Sequence, residues 1–300
     1  MRSLLLTVIL VVWTASPIAA FQPQYSIIGR PPVVPTKTSS SWLLLPTTTK
    51  PRHHHVTTAR MASAAEDDTD STPKKQLDVD AIVKYGGALA IQMGLFTGIF
   101  TLFDKLVAIT GIAQVPFAVN FILFYFCALK SRVLNPLANN RPNVDTKEVD
   151  NIPKRQMPTW TPPGFVFPIV WLLLIGPLRA ATSSMIYATT GSYACAPILA
   201  LMLHLSIGDV WNTINNVERR YGTSILGIVG VYTSAAFAAY SYHQVLPLAG
   251  KLLALKMIWL TIASSLIIRT WQLNPNPETG KPYSLLPTTG EGSKTEFMWF

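Results

Sequence analysis

Six long apolar segments alternate with polar stretches along the chain. They fall at roughly 82–103, 113–131, 163–187, 194–215, 223–246 and 250–272. A helix needs about 20 apolar residues to cross the hydrocarbon core of a bilayer, and each segment is close to that length. The pattern therefore predicts an all-α integral membrane helix bundle. The connections from the third segment onward are short, so consecutive helices there should be antiparallel neighbours.

The basic residues between these segments favour six spans rather than five. With six spans both ends of the bundle share one side, and that side carries thirteen Lys and Arg residues: Lys74, Lys75, Lys84, Lys130, Arg132, Arg141, Lys147, Lys154, Arg155, Arg219, Arg220, Lys281 and Lys294. The opposite side carries only Lys105 and Lys251. Such an asymmetry is typical of membrane proteins. If the first two segments formed a single span, the N-terminal arm would move to the opposite side, and the asymmetry in basic residues would be weaker. The second segment is the shortest in its unbroken apolar core.

Composition agrees with a membrane protein and excludes several other classes. The chain is 49% hydrophobic and only 13% charged, with a mean hydropathy of +0.32, whereas soluble domains are about 25% charged. The formal charge of +9 arises largely from residues 1–65, which hold six Lys and Arg and no acid, so it does not indicate a nucleic-acid surface. The two cysteines, Cys127 and Cys195, stand alone. No metal-ligand spacing, phosphate loop or catalytic motif is present, so we assign no catalytic and no metal-binding residue.

The N-terminal region has the composition of a targeting sequence. Residues 1–20 combine one Arg, an apolar run and small residues, as in a signal peptide. Residues 21–61 are rich in Ser, Thr, Pro and Arg, as in a transit peptide, and Phe21 follows the Ala19–Ala20 cleavage candidate. This arrangement resembles the bipartite presequence of algae with secondary plastids, which implies a plastid membrane, either envelope or thylakoid. Ordinary secretion is the alternative. Residues 62–80 are predicted to be a disordered arm, and residues 273–300 a polar tail.

Polar residues interrupt the fourth apolar segment. At 100° per residue, His204, Trp211 and Asn215 fall on one helix face, and Asp209 and Asn212 on a neighbouring face. An ionisable group inside a membrane should face the bundle interior and be paired. Asp209 is therefore either a structural partner for a neighbouring helix or a ligand or proton contact. His204 is either a satisfied interior histidine or a polar ligand contact.

Aromatic residues concentrate on the same segments. Trp171, Trp211 and Trp259 fall in mid-span and cannot all be interfacial residues. They either fill the core or line a flat cavity that suits a planar hydrophobic ligand. Trp160 precedes Pro162 and Pro163 at a loop-to-helix transition. Arg179, about two turns beyond Trp171, either extends to the far interface or meets an anionic group.

The stretch Pro158–Trp171, PTWTPPGFVFPIVW, carries the most specific signal. Together with the closing W-x-L-N at Trp271–Asn274 and the basic turn at Arg219–Arg220, it resembles the translocator protein family. This family is also called TspO/MBR, tryptophan-rich sensory proteins or peripheral-type benzodiazepine receptors. The resemblance implies a five-helix core at 113–272, with 82–103 as an extra N-terminal transmembrane helix. Asn215–Asn216 and Leu255–Lys256 depart from the family pattern, so this is a divergent branch.

The resemblance also implies a function. Family members are homodimers that bind tetrapyrroles and, in some members, sterols. We therefore expect the protein to bind, transport or sense a planar hydrophobic ligand, with a porphyrin or haem as the candidate bound molecule and no required cofactor. The predicted ligand-binding residues are Trp160, Phe167, Trp171, His204, Asp209, Trp211, Asn212, Asn215 and Trp259. Two alternatives are an enzyme that degrades bound porphyrin by light or oxidant, and an assembly factor for a membrane complex that uses loop 132–157.

Overall fold

The computed structural model describes residues 76–140, 155–277 and 279–298. The predicted signal peptide, transit peptide and most of the N-terminal arm lie outside the described residues. Within them, six helices are long and apolar enough to cross a membrane: α1 (Val79–Thr110), α2 (Phe117–Leu134), α3 (Val166–Thr190), α4 (Ala196–Val217), α5 (Tyr221–Val245) and α6 (Pro247–Leu273). The predicted all-α membrane helix bundle is confirmed.

Helix α1 is longer than its apolar segment because local caps extend it. The Asp78 side chain accepts a hydrogen bond from the Ala81 N–H (3.0 Å) and caps the first turn. Gly111 ends the helix in the left-handed conformation, at φ 66°. The helix therefore has 32 residues and extends beyond the predicted 82–103 at both ends.

Helix α3 contains a π-helical turn over Val170–Ile175. Pro177, just after it, has no N–H to donate to the preceding turn. The Gly176 N–H instead bonds to the Trp171 carbonyl, five residues back. Trp171 and Arg179 are eight residues apart, so in a regular α-helix their side chains would point about 80° apart around the helix axis. The π turn accommodates one extra residue, which reduces the rotation between them by about 100°. The bulge therefore brings Trp171 and Arg179 to nearly the same side of α3.

Packing joins the helices into one bundle. Helix α4 packs against α5, α2 against α3, and α5 against α6, while α1 packs against α4. The largest buried apolar cluster contains residues from all six helices. One residue from each helix, in chain order, is Phe96, Phe124, Ala180, Leu201, Tyr242 and Leu253. A second cluster around Ile228, Val231 and Leu260 joins α5 and α6 and is contacted by Trp171 and Trp211.

At the end of the bundle opposite the basic side, α1 holds the loop between α3 and α4. The Asp104 carboxylate accepts hydrogen bonds from the Ser192 hydroxyl (2.7 Å) and from the backbone N–H groups of Tyr193 (2.7 Å) and Ala194 (3.0 Å). Hydrogen bonds to a charged group contribute more to stability than neutral ones. Asp104 therefore fixes α1 to the start of α4.

On the basic side, the C-terminal tail and the last residues of the predicted arm are structured together. Leu77 pairs with Thr288, and Leu137 pairs with Phe297, as isolated antiparallel bridges. Residues 76–80 are thus not disordered, which corrects the end of the predicted 62–80 arm. The physical reason is a partner about 210 residues away in sequence, which the local polar composition does not reveal.

A buried ionic network fastens these segments to the ends of α1, α4 and α5. We call it the clamp and define it as Asp78, Tyr85, Glu218, Arg220 and Thr295. Arg220 forms ion pairs with Asp78 (2.6 Å) and Glu218 (3.2 Å). The Tyr85 hydroxyl donates to Glu218, and the Thr295 hydroxyl bonds to Tyr85 (3.3 Å). Glu218 and Arg220 are only 1% and 2% exposed.

The two carboxyl groups of the clamp have opposite pKa shifts. Burial raises the pKa of Glu218, and the opposing contributions of Tyr85, Thr295 and Arg220 do not cancel this effect. Burial also acts to raise the pKa of Asp78, but the Ala81 N–H and Arg220 outweigh it and hold that pKa below its ordinary value. Protonation of the clamp therefore affects stability in two separate pH ranges.

We expect stability to rise as the pH falls from 7 toward about 4.5, the ordinary pKa of Glu218. A carboxyl group with a raised pKa binds its proton more readily in the folded state, so acidification favours folding in this range. Asp78 acts in the opposite sense, and its contribution is lost as the pH falls below about 3.8. Thermal unfolding measured against pH should show the gain in the wild type and not in Glu218→Gln. Asp80→Asn, at an exposed position, is the control and should show the same gain as the wild type. If the unfolding temperatures of the wild type and Glu218→Gln change in parallel with pH, Glu218 is not the source of the gain.

Candidate ligand-binding site

The π turn of α3 places a cation against an aromatic plane in the bundle interior. The Arg179 guanidinium carbon lies 5.1 Å from the centroid of the Trp171 ring, a distance typical of a cation–π contact. Arg179 is only 5% exposed. Of the two interpretations open at the sequence level, the side chain does not extend to the far interface; it stays in the interior.

Helix α4 supplies the hydrogen-bond partner of this arginine. Arg179 Nη2 lies 2.9 Å from His204 Nε2, and His204 Nδ1 lies 3.1 Å from Ser234 Oγ on α5. A guanidinium has only donors, so Nε2 is the acceptor, and we assign the proton of a neutral imidazole to Nδ1. Ser234 then accepts from His204 and donates to the Val231 carbonyl (3.0 Å). The histidine is thus a fully partnered interior group that orients Arg179.

Helix α6 adds a second basic side chain to the same region. Lys256 is 2% exposed and lies within electrostatic range of Arg179 and His204. Its Nζ has no hydrogen-bond partner among the described residues. Lys256 follows Leu255, where α6 changes from one helical segment to the next.

An aromatic pair lies three residues further along α6. The ring of Trp259 meets the ring of Phe167 edge to face, with centroids 5.6 Å apart at 70°. The indole N–H of Trp259 is buried and has no partner within the described part of the chain. Lys256 and Trp259 share a helix face because residues three apart are neighbours on an α-helix. The interior between α3 and α6 therefore combines aromatic planes with unsatisfied donors.

Trp211 lies on the other side of the second apolar cluster, between α4 and α5. Its indole N–H donates to the Ser224 carbonyl (3.1 Å). Its ring fills the space left by Gly227, where an added Cβ would come within 2.7 Å of Trp211 Cδ1. Trp211 and Trp171 contact the same cluster from two helices, but Trp211 already has its polar partner.

Asp209 faces α1 rather than the tryptophan-lined interior. Its Oδ2 accepts a hydrogen bond from Gln92 Nε2 (2.8 Å). Gln92 in turn accepts from Asn135 Nδ2 (2.7 Å), and both amides are buried. The structure therefore separates Asp209 from His204, and we do not include it among the ligand contacts proposed below.

The asparagines at the end of α4 form their own network at the basic side. Arg155 donates to the backbone carbonyl of Asn215 and to both Asn215 Oδ1 (3.2 Å) and Asn216 Oδ1 (3.3 Å). Asn212 Oδ1 accepts from Asn216 Nδ2 (3.3 Å). These residues connect α4 to the segment before α3. None of these hydrogen bonds involves Trp259 or Phe167.

The loop that carries Trp160 is attached to the end of α6. Asn274 exchanges two hydrogen bonds with the backbone of Gln156, each 2.8 Å. Trp160 itself is 49% exposed. The closing W-x-L-N pattern thus has a physical role, because its Asn anchors the loop that leads into α3. Trp160 occupies an exposed position on this loop, outside the interior aromatic pair.

Sequence reasoning missed Lys256, Ser234 and Gln92 as interior polar groups. The signal for Lys256 was available, because a lysine within an apolar span is unusual. No pattern along the chain indicates that Ser234 accepts from His204 or that Gln92 meets Asp209, since these pairings depend on which helices pack together. A groove of about 250 Å³ between α5 and α6, lined in part by Tyr232, Thr261 and Ser264, was also not predictable.

Known proteins resemble the part of the chain that contains this interior. Residues 132–272 match the TspO/MBR family. The chain is 28% identical to the translocator protein of Bos taurus over 132 residues, which cover 43% of this chain and 78% of the relative. It is 26% identical to protein CrtK of Rhodobacter capsulatus over 130 residues, or 43% and 79%. It is 26% identical to the tryptophan-rich sensory protein of Cereibacter sphaeroides over 127 residues, or 42% and 77%.

Residues 132–272 form a TspO/MBR family domain. The protein is an integral membrane protein, as the six apolar helices among the described residues and the TspO/MBR match indicate. The TspO/MBR match contains α3, α4 and α5 and all of α6 except its last residue, and it begins at residue 132, near the end of α2. Helix α1 and the tail beyond residue 272 lie outside it. The interior formed by Trp171, Arg179, His204 and Trp259 thus belongs to the TspO/MBR part, whereas Asp78 and Thr295 of the clamp do not.

Proposed function

We propose that this protein binds a planar hydrophobic ligand, of the tetrapyrrole or sterol type, in the interior between α3 and α6, and that it transports or senses this ligand. The observation that carries the proposal is the arrangement of Trp171, Phe167 and Trp259 around buried polar groups. Ligand sites in proteins combine mostly apolar and aromatic walls with a few polar groups. The Trp259 N–H, which is buried without a partner, is such a group.

The interior is preferred over the groove between α5 and α6. Among the described residues, the lining of that groove contains no tryptophan, whereas the interior between α3 and α6 presents Trp171, Phe167 and Trp259. In the interior, Phe167 lies in the first turn of α3, directly after the loop anchored by Asn274. Movement of this loop and turn away from α6 would expose Trp259 to an entering ligand. Trp160, on the same loop, would meet the ligand during entry.

We expect Trp259→Leu to weaken protoporphyrin IX binding about tenfold, because it removes an aromatic wall and a buried donor, together about 1.4 kcal/mol. Titration of the purified full chain should be followed by the shift of the porphyrin absorption band, which does not depend on protein fluorescence. Phe237→Leu, on the exposed face of α5, is the matched control and should bind as the wild type does.

Three outcomes separate the alternatives. If wild type binds neither protoporphyrin IX nor cholesterol, the proposed function is wrong. If Trp259→Leu and Phe237→Leu bind equally well, the ligand lies elsewhere. If illumination of the complex generates a new absorbing species, the porphyrin-degrading alternative replaces simple binding. The plastid location and the homodimer remain predictions.

A further inference from the structure

Two buried basic side chains in the interior between α3 and α6 have no counterion in contact among the described residues. Arg179 on α3 and Lys256 on α6 are 5% and 2% exposed. They lie close enough that a charge on one would repel a charge on the other. In the described ranges 76–140, 155–277 and 279–298, the ion pairs found do not involve either residue. We call Arg179 and Lys256 the cationic pair.

The neighbouring groups do not neutralise the cationic pair. His204 is neutral in the hydrogen-bond arrangement described above, because it accepts from Arg179 and donates to Ser234. Asp209 interacts with Arg179 through its charge, but its carboxylate is hydrogen-bonded to Gln92 on the α1 side. Arg179 Nε and Lys256 Nζ each have no hydrogen-bond partner among the described residues. A buried basic group holds its charge at a high free-energy cost unless an anion pairs with it, so this arrangement favours the binding of an anion.

The depth of the cationic pair identifies the source of that anion. Arg179 and Lys256 lie about 9–11 residues, or about 13–17 Å at 1.5 Å per residue, from the ends of α3 and α6 opposite the basic side. A phosphate in a lipid headgroup remains at the membrane surface and does not reach this depth. An acidic group attached to a hydrophobic ligand enters the interior together with that ligand.

We propose that the cationic pair binds a carboxylate of the planar ligand, so that the protein selects an acidic planar ligand over a neutral one. This inference rests on the proposed function and narrows its substrate class. Arg179 can present donors to a carboxylate while its guanidinium remains against Trp171. Lys256, protonated when the carboxylate lies beside it, supplies a second positive charge from the opposite helix. The buried Trp259 N–H lies on the same face of α6 as Lys256 and is available to a second polar group of the ligand.

The test compares protoporphyrin IX, which carries two carboxylates, with its dimethyl ester, which has the same ring and no charge. Both are titrated into the purified full chain in detergent, and binding is followed by the shift of the porphyrin absorption band. Wild type should bind the acid at least about tenfold more tightly than the ester, and this comparison needs no variant. Lys256→Met should lose most of that preference and leave ester affinity unchanged. Lys251→Met, an exposed lysine on the same helix, should behave as the wild type does.

The outcomes distinguish this inference from the proposed function. If wild type binds acid and ester equally, or prefers the ester, the cationic pair does not select an acid, whereas the proposed function stands. The folding control is that Lys256→Met unfolds at the wild-type temperature. If this folded variant retains the full preference for the acid, or loses acid and ester affinity equally, the role given to Lys256 is wrong. If neither porphyrin nor cholesterol binds to the wild type, the proposed function fails and the inference fails with it.

Discussion

Arg220→Met is expected to destabilise the protein by about 3–5 kcal/mol, the range for breaking a buried ion pair by removing one partner. Arg220 is the only cation in the described part of the chain that forms ion pairs with Asp78 and Glu218, at 2.6 Å and 3.2 Å. Without it, Glu218 remains almost fully buried beside Tyr85 with its charge uncompensated. The loss should appear in thermal unfolding at pH 7, where both acids are largely ionised in the unfolded chain.

Arg269→Met provides the control for this prediction. Arg269 is exposed and hydrogen-bonds to Gln272 within the same helix (3.0 Å), so its loss should change stability by less than about 1 kcal/mol. A double variant, Arg220→Met with Glu218→Gln, should recover part of the stability, since it removes the unpaired charge. Equal unfolding temperatures for Arg220→Met and Arg269→Met would show that the clamp does not hold the bundle together.

Gly222→Ala is expected to displace the C-terminal tail from the start of α5. An added Cβ would lie 1.9 Å from the Ser284 carbonyl oxygen and 2.7 Å from that of Tyr283, and these are backbone atoms that cannot rotate away. Displacement would also break the hydrogen bond from the Trp271 indole N–H to the Tyr283 carbonyl (3.0 Å). We expect a loss of about 1–3 kcal/mol and about tenfold faster proteolysis within residues 284–298.

Gly86→Ala is the matched control, because Gly86 lies within α1 and an added Cβ there has nothing within 4 Å. Replacing a glycine in a helix by alanine should stabilise the protein by about 0.5–1 kcal/mol. The same substitution should thus have opposite effects at the two positions. If Gly222→Ala also stabilises the protein and leaves proteolysis of the tail unchanged, the tail does not pack against α5 as described.

The helices were predictable from the sequence because their signal is local and strong. Apolar runs of about 20 residues identified all six spans. The ends were predicted less accurately, since they depend on caps such as Asp78 and Gly111. The clamp was not predictable from composition, because Asp78, Glu218 and Thr295 acquire their partners only when distant parts of the chain meet.

The candidate site was predictable in residue type but not in arrangement. Periodicity placed Asp209 near the face of His204, yet α1 brings Gln92 to Asp209, whereas His204 faces Arg179. Trp160 was expected near a ligand because of its sequence context, and the structure places it half exposed on the loop. A helical projection describes one helix at a time. The assignment of each face to a particular neighbour requires the order in which all six helices pack.

The clamp has a consequence for the timing of synthesis. Lys84 on α1 donates to the Thr295 carbonyl (3.1 Å), a contact between residues separated by 211 positions. At about 5–20 residues per second, a ribosome needs roughly 10–40 s to make the intervening chain. During that interval α1 can already occupy the bilayer while Asp78 still lacks Arg220, so this end of the bundle closes last. Nascent chains stopped before Arg220 and before Thr295 should therefore differ in how tightly α1 is retained.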